Sequence, residues 1–215
     1  MKNSTIAYVN ELINRYPSLE SIEESICNAI EMLIATYHNG DKLLICGNGG
    51  SAADSLHIVG ELMKSFVKKR PVNDEIKSHL LKYEDGEELA DKLQCPLPAI
   101  SLVCESGLST AFENDVEPAF VFAQQVLGYG RKGDCLLAIS TSGNSRNVIA
   151  AAEVAKAMGI HVLGLTGKTG GKLRSIADVL LAVPETETYK VQELHLPIYH
   201  AICLAVENEF WGEID

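Results

Sequence analysis

Residues 42–51 read Lys42-Leu43-Leu44-Ile45-Cys46-Gly47-Asn48-Gly49-Gly50-Ser51, a short apolar run that stops in three glycines and two polar residues. The run shows no polar alternation, which is the pattern of a strand covered on both faces in a parallel sheet. Glycines directly behind it let the chain turn sharply and leave backbone N–H groups free at the start of a helix. The same grammar repeats downstream. Residues 99–103, 135–139, 161–165 and 179–183 are similar apolar runs, and helical patterns lie between or after them at 52–67, 117–127, 144–158 and 188–209. Strand alternating with helix predicts an α/β fold, a three-layer αβα sandwich around a five-stranded parallel sheet.

Two segments depart from this rhythm. Residues 4–39 read as helix, with Ile6, Val9, Leu12 and Ile13, then Ile22, Ile26, Ile30, Leu33 and Ile34, at helical spacing around a break at Tyr16-Pro17-Ser18. This predicts an N-terminal helical arm over residues 1–40, ahead of a domain spanning 41–215. Such an arm packs either on another subunit or on its own domain. Residues 70–98 are polar and charged, with prolines at 71, 96 and 98 and short helical patterns at 74–83 and 86–93, so they read as an inserted helical segment on the rim.

Eighteen basic and 29 acidic residues give a formal charge of −11, and 47% of the 215 residues are hydrophobic. Disorder is excluded for the chain as a whole. A direct nucleic-acid or anionic-membrane partner is not expected, because phosphate surfaces require a basic footprint. No stretch is long and apolar enough to cross a bilayer, and residues 1–16 lack the apolar core of a signal peptide. A cytoplasmic protein is expected. None of the six cysteines forms a CxxC pair, so they read as reduced thiols.

Chemistry concentrates after the strands. Gly47-Asn48-Gly49-Gly50-Ser51 and Ser140-Thr141-Ser142-Gly143-Asn144-Ser145 are turns rich in glycine and hydroxyls. Backbone amides, hydroxyls and the helix dipole could together hold a phosphate dianion. Neither turn has a Walker or GxGxxG pattern, which weakens a nucleotide reading. The third glycine turn, Gly164-Leu165-Thr166-Gly167-Lys168, reads as structural. His57 and Glu61 are four apart on the helix behind the first turn and share a face, a pairing suited to metal ligation or proton transfer. The last helix holds Gln192, Glu193, His195 and His200, with Pro197 as a candidate kink. Asn114-Asp115 is a polar pair suited either to sugar hydroxyls or to ending a helix.

These blocks, in this order, resemble the phosphoheptose isomerases, which are sugar isomerase (SIS) domain proteins. The matching stretches are residues 46–51 with 53–62, Asn114-Asp115, residues 138–145, residues 163–168 with 170–173, and Val191-Gln192-Glu193-Leu194-His195 with His200. The resemblance implies isomerisation of sedoheptulose 7-phosphate to D-glycero-D-manno-heptose 7-phosphate in a homotetramer with active sites at subunit interfaces. Asn48, Gly49, Gly50, Ser51, Ser140, Thr141, Ser142 and Ser145 would hold the substrate, chiefly its phosphate. Asn114 and Asp115 would contact the sugar, and Gln192 would also face the substrate. His57, Glu61, Gln192 and His200 would bind Zn2+, with Glu61 and His200 as the catalytic base and acid. The sequence departs at Ser65, where an arginine is expected, leaving Lys64, Lys68, Lys69 and Arg70 to supply the charge. Related chains also include a non-catalytic adaptor for a replication initiator, and a phosphosugar sensor is a third reading.

Overall fold

The structure is a computed structural model and describes residues 1–212. Five strands form one parallel sheet: β1 (Leu43–Cys46), β2 (Ala99–Ser101), β3 (Cys135–Ser140), β4 (His161–Thr166) and β5 (Val179–Ala182), in the order β2-β1-β3-β4-β5. Although the runs are uniformly apolar, neighbouring side chains part to opposite faces. Leu43, Ile45, Leu137, Ile139, Leu163 and Leu165 meet one helical layer; Leu44, Cys46, Leu136, Ala138 and Val162 meet the other. Each strand is therefore hydrophobic throughout because both of its faces are covered, as the sequence predicts.

The first layer contains α2 (Glu23–His38), α3 (Gly50–Met63) and α9 (Thr188–Trp211). On it lies α1 (Asn3–Arg15), which buries Val9 and Leu12 against α9. The start of the chain is tied down where Lys2 N and Thr5 Oγ1 donate to Glu209 Oε2 at 3.0 and 2.7 Å. Of the two placements open for the arm, the chain adopts the one on its own domain. Helix α2 supplies Ile26, Ile30 and Leu33 to the main core. The second layer contains α7 (Val121–Tyr129) and α8 (Arg146–Ala157).

One unread helix and two boundaries depart from the sequence pattern. Residues 106–115 form a further helix, α6 (Ser106–Asp115), which has no buried residue and carries only a short apolar stripe, Leu108, Ala111 and Phe112. The helix expected from 117 starts as a 3-10 turn, Pro118–Phe120, before α7. Helix α3 stops at Met63, and residues 64–70 run on as an irregular strap. Helix α9 continues through Pro197 without interruption.

The 70–98 insertion holds two short helices, α4 (Asp74–Leu80) and α5 (Gly86–Lys92), with Asn73 Oδ1 accepting from Ile76 N at 2.8 Å to cap the first. Its neck closes where Pro71 bridges Gln94 antiparallel and Cys95 N donates to Arg70 O at 2.7 Å. All six cysteines are unpaired thiols. Burial pushes Cys46, Cys135 and Cys203 up to about 12, which keeps them protonated and inert.

Candidate active site

Strand order reverses between β1 and β3, since the chain leaves β1 for β2 on one side and later fills β3 on the other. In such sheets the crevice beyond the carboxyl ends of these two strands is where ligands bind. Both glycine-rich turns emerge there. They are joined by a reciprocal amide pair: Asn48 Nδ2 donates to Asn147 Oδ1 and Asn147 Nδ2 to Asn48 Oδ1, each at 2.9 Å. The sequence reading missed Asn147, which lies just inside α8; its only signal was a second asparagine three residues after Asn144.

The second turn is held by its own hydroxyls. Ser140 Oγ and Ser145 Oγ are 3.0 Å apart, and Ser142 Oγ accepts from Asn144 N at 3.1 Å. Gly143 has φ +66°, and a Cβ there would collide with the carbonyl of Gly170. Only glycine lets the two turns stack so closely. The third glycine turn thus acts as a buttress, with Gly167 N donating to Thr141 O at 2.9 Å. In the first turn, a Cβ on Gly50 would occupy the space taken by the Gln192 amide. Gln192 of α9 therefore lies over the start of α3, where a phosphate would meet the helix N-terminus.

Further along α3, His57 and Glu61 meet α9. His57 Nε2 lies 3.3 Å from Glu61 Oε1 and 3.5 Å from His200 Nε2. Glu61 is shielded, with 14% of its side chain exposed against 43% for His57. Lys64 Nζ binds the other carboxylate oxygen, Oε2, at 3.0 Å. Lys64 is therefore the cation that reaches the site, whereas Arg70 is buried elsewhere against Glu207. The His200 imidazole is held below its usual range by burial and by the neighbouring His57, with Glu61 opposing. Phe66 covers its ring at a centroid distance of 5.7 Å. Beside it, a cavity of about 150 Å³ between α1 and α9 is lined by Tyr8, Glu11, Arg15, Tyr16 and His200.

His57 has a partner on its other side. Its Nδ1 is 3.0 Å from the Tyr199 hydroxyl, which donates to Asp54 Oδ1 at 3.3 Å. Neither Asp54 nor Tyr199 was singled out from sequence, because Tyr199 is hidden in the apolar stripe of α9. Burial raises the Asp54 carboxyl, with Tyr199 and His57 opposing; burial and Asp54 raise the Tyr199 phenol.

Two imidazoles and a carboxylate form a donor set that suits a divalent ion such as zinc. The fourth expected donor, Gln192, is turned to Gly50 instead. Among the described residues no three His, Cys, Asp or Glu side chains form a ready-made metal cage. The donor chemistry fits, and closure would need Gln192 or Glu61 to adjust. His195, although on the same helix, is fully buried and joins none of these contacts. Asn114 and Asp115 lie at the end of α6 and, among the described residues, hydrogen bond to each other at 2.7 Å rather than to either turn.

The fold and crevice define an SIS-domain protein: the family model described as SIS domain matches residues 7–94 and 88–167. Curated relatives narrow the class. A phosphoheptose isomerase of Akkermansia muciniphila is 34% identical, with 94% of each chain covered. One of Helicobacter pylori is 38% identical over 90% of this chain and 88% of its own. Among solved structures, the phosphoheptose isomerase of Neisseria gonorrhoeae aligns with a TM-score of 0.72 at 33% identity, covering 94% and 96% of the two chains. The chain belongs to the phosphoheptose isomerase family.

Proposed function

We propose that this chain interconverts sedoheptulose 7-phosphate and D-glycero-D-manno-heptose 7-phosphate. The observation behind this is that His57 and Glu61, on the helix whose N-terminus opens from the glycine crevice, meet His200 of α9. A phosphate held at residues 48–51 and 140–145 would leave the carbonyl end of a long sugar to reach that cluster. Aldose–ketose exchange moves one proton between C1 and C2 through an enediol. Glu61 takes the carbon-bound proton as its carboxylate and returns it to the adjacent carbon. His200, kept neutral by burial, donates a hydrogen bond to the oxygen on which charge develops, as a neutral imidazole does in other isomerases. Gln192 orients the substrate above Gly50.

Zinc belongs to this reading. His57, Glu61 and His200 would hold it, joined by Gln192, and it would polarise the carbonyl when bound. A cytoplasmic location agrees with six unpaired thiols and with the lack, among the described residues, of any helix long and apolar enough to cross a membrane. The adaptor and sensor readings have no observation of their own in their favour.

The deciding assay follows heptose formation from sedoheptulose 7-phosphate, with and without added zinc. Glu61→Gln and His200→Ala are each expected to lower kcat by about 100-fold or more. Full turnover in Glu61→Gln would remove the base from the mechanism. No turnover by the unaltered protein would remove the isomerase reading itself.

A further inference from the structure

We propose that Tyr199 and Asp54 are positioning residues that fix the tautomer of His57. The inference deepens the isomerase and metal reading above and rests on it for its functional meaning. Asp54 and His57 lie three apart on α3, and Tyr199 enters between them from α9. The Tyr199 side chain is almost fully buried and its ring meets His57 edge-on at 5.5 Å and His200 at 5.0 Å, so it has little freedom to swing.

Valence at Asp54 selects the donor sequence. Asp54 is a carboxylate with no competing hydrogen-bond donor: among the described residues its second oxygen is buried and unpartnered. It can only accept, so the Tyr199 hydroxyl donates its one proton there. The phenol oxygen is left to accept, and the atom facing it at 3.0 Å is His57 Nδ1. His57 thus bears its proton on Nδ1 and turns an Nε2 lone pair into the cluster; Glu61 Oε1, 3.3 Å from Nε2 and on a carboxylate already paired with Lys64, competes for that proton at longer range than the 3.0 Å Tyr199 contact. That lone pair is what a divalent ion needs, and the outer hydrogen bond of a ligating histidine has this orienting effect generally. If the phenol instead donated to His57, Nε2 would carry a hydrogen into the cluster and present no lone pair to a metal.

The test is nitrogen NMR of the metal-free protein labelled in histidine, at pH 9, above the ordinary imidazole range. The six histidines are few enough to assign His57 by comparison with His57→Gln. A protonated Nδ1 and bare Nε2 are expected in the unaltered protein. Asp54→Ala frees the phenol proton and is expected to move His57 toward the Nε2–H form; Tyr199→Phe is expected to give a mixture. Thermal melts of both variants identify any loss of fold. Nε2–H in the unaltered protein, or a tautomer unchanged in both folded variants, would overturn the proposal. Kinetics form a separate arm: a fall in kcat of about 10-fold or more with little change in KM is expected, since the phosphate end is untouched. Failure of isomerisation by the unaltered protein would count against the isomerase reading, while the NMR result would still decide the tautomer.

Discussion

His195 is wholly enclosed, and burial pushes its imidazole down to about 4, with the Thr166 backbone weakly opposing. The ordinary value is about 6.5, so as pH falls the unfolded chain takes up the proton first. Stability gained by keeping this ring neutral is fully present above about pH 6.5 and is lost as pH falls toward 4; the loss reaches about 2 kcal/mol by pH 5. Urea unfolding at pH 7.5 and pH 5 measures it. His195→Leu is expected to lose less stability on acidification than the unaltered protein, by about that amount; equal losses would place the acid sensitivity elsewhere. Histidine spacing alone could not separate His195 from His57 and His200. All three occupy plausible helix positions; the family resemblance singles out His57 and His200, and packing shows that His195 is a core residue while those two face the crevice.

The strap that follows α3 depends on a single ion pair. Arg70 and Glu207 are both fully buried, 2.6 Å apart, and Glu207 also accepts from the backbone N–H groups of Phe66, Val67 and Lys68. Arg70 Nη1 donates to Leu62 O at 2.7 Å and its guanidinium stacks over Trp211 at 4.8 Å, so the pair also closes the open end of α3 just beyond Glu61. Removing one partner leaves a buried, uncompensated charge. Arg70→Met or Glu207→Leu alone is expected to cost about 3–5 kcal/mol in urea unfolding, and the double variant less than the sum. Additive losses would show that the pair is not coupled. The neighbouring insertion should behave oppositely. Helix α4 has no buried residue and α5 only Gly86, so replacing residues 74–92 with a short glycine-serine linker is expected to change stability by less than about 1 kcal/mol. A large drop in the urea midpoint would mean that the segment packs on the core after all.

At the scale of the whole molecule, the strand order places the two glycine-rich turns side by side, and α9 crosses behind them to deliver Gln192, Tyr199 and His200 to one line along α3. We propose the homotetramer that the family resemblance implies, and an exposed apolar surface is available for association. Phe120 and Leu127 are 41% and 58% exposed around an apolar groove of about 440 Å³ that also includes Phe112 and Val154. Surfaces of this kind mark association sites. Light scattering is expected to return four times the monomer mass; a monomer at working concentrations would sink the assignment.

The sequence by itself determined the strands, most of the helices and the two turns, because double-sided burial and tight turning leave local signatures in composition: apolar runs, then glycine. It also determined the His57–Glu61 pair, since helical periodicity alone puts residues four apart on one face. The exposed helix α6 left only a short stripe and went unread. What joins α3 to α9 was settled only by tertiary structure. The partners Asn147, Asp54 and Tyr199, and the turn of Gln192 toward Gly50, are contacts between residues up to 145 positions apart. Such contacts depend on how helices cross over the sheet, and no local pattern encodes that crossing.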